Sequence, residues 1–198
     1  MLITTPKTCP LAQFAGSVLR LLLAGTLLLA VSQTACAGIA VNHASTRLED
    51  EQYLLDADIT YSLNDTVLEA LENGVPLTLQ LDVIVEHPRE YLWNENIAEQ
   101  TYRFQLQYHA LSEKYLVRNL QTGAQDIYPT LRTALLALGR IKSVDLLKKS
   151  VLQQNTRYIV RLRVSLDIAS LPAPMRPLAW LTTDWHLGSK WFSCPLTP

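Results

Sequence analysis

The chain has 198 residues, 48% of them apolar and 18% charged, with a formal net charge of −1. That balance is too apolar for a disordered protein, and the missing basic excess argues against a general nucleic-acid binder. The first 37 residues hold Lys7 and Arg20 as their only charges, so the other 161 carry 15 Lys and Arg against 18 Asp and Glu. A chain of that length forms one domain and buries about 70% of its unfolded surface, with no need of a metal or disulfide.

Arg20 is followed by the uncharged run LLLAGTLLLAV, residues 21–31, and then by Ala35 and Ala37, spaced as the −3 and −1 positions of a cleavage site. This pattern predicts a secretory signal over 1–37, a single soluble β-rich domain over 38–198, and a periplasmic location. The alternative is an inner-membrane anchor formed by uncleaved residues 21–35, although the run is short of the ~20 residues a spanning helix needs. Lipidation at Cys36 is a weaker third reading, because Gln33 stands where a leucine is usual. Cleavage removes Cys9 and Cys36 and leaves Cys194, which excludes an intramolecular disulfide. A lone cysteine of this kind reads as a small buried hydrophobe.

Residues 39–48 and 53–61 predict two strands around the acidic turn EDEQ, with Leu55, Ala57, Ile59 and Tyr61 on one face. Ser62 is placed as the cap of a short helix with Val67, Leu68 and Leu71 inward, closed by Asn73-Gly74. Leu77, Leu79, Leu81, Val83 and Val85 alternate along the clearest strand. The stretch 87–100 reads as a polar connection with aromatic anchors at Tyr91 and Trp93. Segments 101–109, 114–120 and 124–128 predict an antiparallel meander. Thr130 caps a helix with Leu131, Leu135 and Leu138 inward, ended by Gly139. A second short helix is predicted after Ser143 from Val144, Leu147 and Val151, and a long strand over 156–168. Pro172, Pro174 and Pro177 exclude a long helix in the tail, where a final strand is expected near Gly188. Hairpin connections argue against a doubly wound fold. The expected class is mainly β with α additions: an antiparallel sandwich or curled sheet with two or three short helices at one end.

No G-x-S-x-G, Walker or G-x-G-x-x-G motif occurs, no cofactor is implied, and His43, His87, His109 and His186 lack metal-ligand spacing. Asp56 and Asp58 share a strand face that suits a cation or a shared proton, though such acids are usually just solvated. Arg157, Arg161 and Arg163 form the best charged feature. Arg161 and Arg163, about 7 Å apart on one strand face, suit an acidic partner segment or a phosphate, against the commoner outcome of pairing with acids on neighbouring strands. Trp180, Trp185 and Trp191 crowd the tail, either closing the core or forming a contact surface.

The runs YLLDADITYSLNDTVLEALENGVPLTLQLDV, YRFQLQYHALSEKYLVRNLQTG and LPAPMRPLAWL…DWHLGSKW resemble the proteobacterial exported proteins of the domain of unknown function 4390 family, across residues 39–195. The resemblance implies export and a gene neighbourhood with a nitrogen-regulation-type sensor kinase and its response regulator. It carries no catalytic residue over. The leading expectation is a non-enzymatic envelope protein that binds a protein partner, such as a sensor kinase, another inner-membrane protein or an envelope assembly. Arg161, Arg163, Trp180, Trp185 and Trp191 are its candidate binding residues, with peripheral membrane contact a further option and no role for nucleic acid. The alternatives are a domain for a small or lipidic ligand, which needs an apolar cavity, and a hydrolase that unites His109 or His186 with an acid and a nucleophile.

Overall fold

The computed structural model describes residues 38–89, 93–153 and 155–196. All lie in one compact unit, Ala37–Pro198. The signal segment, with Cys9, Ala35, Cys36 and Ala37, and the anchor residue Tyr91 lie outside the described residues.

The chain opens with β1 (Gly38–Glu49) and β2 (Gln52–Ser62), an antiparallel pair. Asp50 and Glu51 connect them, both at positive φ (47° and 63°), the geometry whose twist suits a two-residue hairpin. Helix α1 (Asp65–Glu72) is capped by Asn64, whose side chain accepts from the Val67 N–H at 2.9 Å. The expected cap at Ser62 is corrected: Ser62 still pairs with Gly38 as the last residue of β2. Gly74, at φ 83°, and Val75 close α1 with bonds to the carbonyls of Leu71 and Ala70.

β3 (Leu77–His87), β4 (Glu95–His109), β5 (Lys114–Asn119) and β6 (Gln125–Tyr128) follow as a meander. β4 starts well inside the expected connection 87–100. Its first residues are exposed or half-exposed and show no clean alternation, yet they pair with β3 around a bulge at Ile97. Helix α2 (Leu131–Gly139) is capped by Thr130 as expected. The helix expected after Ser143 is instead β7 (Arg140–Lys148), the third strand of the β1–β2 sheet. β8 (Ile159–Leu166), α3 (Arg176–Leu181) and β9 (Phe192–Pro195) complete the chain, with 3-10 turns at 149–151, 168–170 and 183–185. The long strand expected over 156–168 is therefore shorter, Ile168 turning inward in a 3-10 turn. Gly188 makes only an isolated bridge to Ser165.

The result is mainly β: two antiparallel sheets, of order β1-β2-β7 and β6-β5-β4-β3-β8-β9. Both contribute to one core, filled by Leu55 and Ile59 of the small sheet and by Leu77, Leu81, Leu106, Val160 and Leu162 of the large one. The hydrogen bond from Thr46 to the Pro195 carbonyl joins β1 to β9, and Gln100 and Tyr102 of β4 donate to the β7 carbonyls of Leu146 and Asp145. The small sheet thus covers β9 through β4, while β5 and β6 extend beyond it and pack on α2.

The helices gather at one end. Gly38 pairs with Ser62 there; Asn64 Nδ2 donates to the Asp184 carbonyl at 2.6 Å; and the Asp167 N–H, which follows β8, donates to the Thr78 carbonyl at the start of β3. Helix α2 runs from Tyr128, at the same end of β6, to the Ile59 backbone. Among the described residues, no helix is long and apolar enough to cross a membrane.

Candidate functional site

The alternation along β3 sends Leu77 to Val85 into the core and Gln80, Asp82 and Glu86 to the outer face of the large sheet. Yet Asp82 and Glu86 are only 8% and 4% exposed. A buried carboxylate needs partners, and β8 supplies them by register, with Asp82 opposite Arg163 and Ile84 opposite Arg161. Arg161 Nη1 donates to Glu86 Oε1 at 3.1 Å, and Arg163 Nη2 donates to Asp82 Oδ2 at 3.3 Å. Asp82 also accepts from Gln80 and Thr101, and Glu86 accepts from Asn94. The Trp191 ring lies against both guanidinium groups, at 4.8 and 4.7 Å from centroid to Cζ. Cation–π attraction of this kind fixes the two long side chains as a roof over the acids.

The structure therefore brings Arg161, Arg163 and Trp191 together, but each arginine faces an opposite charge. Beside them Arg103 lies 3.9 Å from Asp167. Three cations balance three acids, so the face has little surplus field for an anion. What it does is hold β3, β8 and the tail in register. Arg157 stands apart from this roof, its carbonyl 3.0 Å from His87 Nδ1.

The other two candidate tryptophans part company. Trp185 is 4% exposed and packs in the core, whereas Trp180 is 60% exposed on α3, with Leu178 and Leu181 exposed beside it. Cys194 is buried, and burial pushes its thiol up from the usual range.

Asp56 and Asp58 do not form a carboxylate pair for a cation. Asp56 is held by the Arg47 guanidinium and by the Ser143 N–H at 2.8 Å, while Asp58 stands opposite Arg140. Burial pushes Asp56 up, but the Ser143 N–H and Arg47 outweigh it and leave the carboxyl below its ordinary range. Among the described residues, no group of three or more His, Cys, Asp and Glu is placed to hold a metal. His109 is exposed, its Nδ1 3.2 Å from Ser112 Oγ in the β4–β5 turn, and His186 Nδ1 lies 2.8 Å from the Thr182 carbonyl. Both histidines thus serve local turns at the surface.

Two clefts open at the surface of the described residues. One of about 740 Å³ opens between the β1–β2 turn and the 149–156 segment, lined by Glu51, Lys149, Gln153 and Tyr158. An apolar groove of about 440 Å³ runs between the end of β2 and α2, lined by Ile59, Tyr61, Leu131, Leu135 and Leu136.

Sheet edges supply the remaining candidate. The β1, β7 and β9 edges carry the cross-sheet bonds given above, and β9 ends in Pro195, which cannot donate. At β6, only β5 pairs with the strand among the described residues. Gln125, Asp126 and Ile127 are exposed, and Ile127 lies opposite Leu116 on the outward face. The β6 edge was not visible as a site in the sequence, whereas the Leu178–Leu181 patch was anticipated at Trp180 alone, without its flanking leucines. The one available signal was the single charge, Arg176, in the eleven residues 171–181.

No curated protein and no solved structure matches the chain. The family model described as Domain of unknown function (DUF4390) matches residues 37–195, and the chain belongs to that family.

Proposed function

We propose that the domain is an exported, non-enzymatic binding module of the cell envelope that pairs its β6 edge with an extended segment of a protein partner. The open edge carries this reading. A four-residue strand with unpaired backbone groups on one side accepts an added strand, and the Leu116–Ile127 pair offers an apolar contact for alternate side chains of the guest. The β1, β7 and β9 edges each carry at least one side-chain bond to the facing sheet, whereas β6 carries none among the described residues. His109 and His186, each bonded within a local surface turn, weigh against a hydrolytic role.

The test is site-specific photocrosslinking in cells, with the crosslinking side chain at Ile127 and, as control, at Trp93, which is 95% exposed at the opposite end of the large sheet. The expected result is a discrete protein adduct from position 127 that position 93 does not give and that Gln125→Pro removes. Identical adducts from both positions, or none from 127, reject the edge as the docking site.

A further inference from the structure

We propose that the helical end of the domain seats on a lipid bilayer surface through α3 and α2. Five large apolar side chains stand out at that end: Leu178 is 64% exposed, Trp180 60% and Leu181 85% on or beside α3, Leu136 54% on α2, and Leu111 95% in the β4–β5 turn. Around the first three, residues 172–181 contain one charge, Arg176, and three prolines. Exposed apolar groups grouped in this way mark an interaction site rather than scatter.

The occupant follows from two observations. The first is chemical. Trp180 presents an apolar ring with one polar N–H, the combination that settles at the headgroup level, and the leucines on either side provide the apolar area that enters the acyl boundary. The second is positional. Residues 1–37, with their apolar run 21–31, join the domain at Gly38. Gly38 pairs with Ser62, and Asn64 is bonded to Asp184, three residues beyond Leu181. Gly38, the residue to which the leader is joined, therefore lies at the same end of the domain as the patch. While that leader resides in a bilayer, the tether presents this end of the domain to the membrane, and an added shallow contact at the same place fixes the orientation of the whole domain. The β6 edge is a separate surface, so the two proposals fail separately.

All four tryptophans lie between residues 93 and 191, and the leader has none. Tryptophan emission from the full chain thus reports the domain alone. The full chain is reconstituted into vesicles of phosphatidylethanolamine and phosphatidylglycerol with brominated acyl chains, which quench only rings that reach them. The expected result is a loss of emission that Trp180→Phe largely removes and Trp93→Phe preserves. The double variant Leu178→Asp/Leu181→Asp removes the same loss while the leader still holds the chain on the vesicle. Both leucines are exposed, so an unchanged near-ultraviolet signal from buried Trp185 verifies the fold. Unquenched wild-type emission, or quenching that survives in Trp180→Phe, overturns the proposal. So does self-association in lipid-free detergent that the double aspartate variant abolishes, which assigns the patch to a second copy of the chain.

Discussion

Gly139→Ala tests how α2 is seated. Gly139 is the last residue of α2, and a Cβ placed on it comes within 2.1 Å of the Ile59 carbonyl oxygen. Carbon–oxygen contacts between backbones are comfortable from about 3.3 Å, so the shortfall exceeds about 1 Å. Neither side yields easily. The obstacle is backbone, and Ile59 is fixed by its pairing with Val41 across the small sheet. Overpacking of this kind costs about 1–3 kcal/mol, while alanine in place of glycine returns at most about 1 kcal/mol of helix propensity, less at a terminal position. The net expectation is a loss of about 2 kcal/mol, which for a domain of this size lowers the melting temperature by about 4–8 °C. Thermal unfolding followed by circular dichroism reads this directly. A melting temperature that is unchanged or raised would falsify the close approach of α2 to β2, and with it the groove between them.

Three further outcomes follow from the outer face, the small sheet and the tail. Glu86→Ala is expected to cost about 1–3 kcal/mol in urea unfolding, below the roughly 3–5 kcal/mol of a fully buried broken pair because Arg161 is partly solvated; a double-mutant cycle with Arg161→Ala should show coupling of at least about 0.5 kcal/mol, and strict additivity would contradict the pairing. The folded Asp56 carboxyl sits below its ordinary range. Its contribution is therefore present above the unfolded value of about 3.9 and lost as pH falls through the folded value, so the stability gap between wild type and Asp56→Asn should narrow below about pH 4 and stay flat from there to neutrality. Cys194 is raised by burial, so it favours the fold below the unfolded thiol value of about 8.5 and loses that advantage as pH climbs toward the folded value. Peptide mapping after alkylation at mildly alkaline pH should find Cys194 unmodified in native protein and modified in urea, and equal modification in both would show the thiol to be open.

The mixed legibility of the fold has identifiable causes. β2 and β8 alternate buried and more exposed residues, and β3 keeps an apolar residue at every second position from Leu77 to Val85 although Asp82 and Glu86 between and beyond them are buried too; that period is what the sequence displays. β7 does not. Ser143 takes a positive φ of 52°, the register to β2 shifts twice, and the buried residues fall at Ile141, Leu146 and Leu147. Bulges erase the period of two and leave the spacing of Val144, Leu147 and Val151, which mimics a helix face. The site was legible only as an inventory. Arg161, Arg163 and the tryptophans stood out by type, but the acids that occupy the arginines lie on β3, about 80 residues earlier, and no local pattern announces that two distant strands are neighbours. The same blindness hid which tryptophan closes the core and which faces outward. It also bears on mutagenesis: Arg161→Glu or Arg163→Glu places like charges against buried Glu86 or Asp82, and so unsettles the sheet before it tests any partner.

The position of β3 constrains how the chain acquires its structure. β3 pairs with β4, its neighbour in sequence, and with β8, whose residues come about 80 positions later. A chain that emerges from its N-terminus forward releases LTLQLDVIV long before the arginines that neutralise Asp82 and the strand that satisfies its second edge. In that interval one of the most apolar segments of the domain has a free edge and two uncovered faces, the condition in which strands join the wrong chain. Completion waits on closure of the longest loop in the large sheet, which makes acquisition of the native state slow relative to a helical protein of equal size. The arginine–tryptophan roof is thus among the last parts to arrive, and its arrival together with β8 marks the moment at which the central strand ceases to be a hazard.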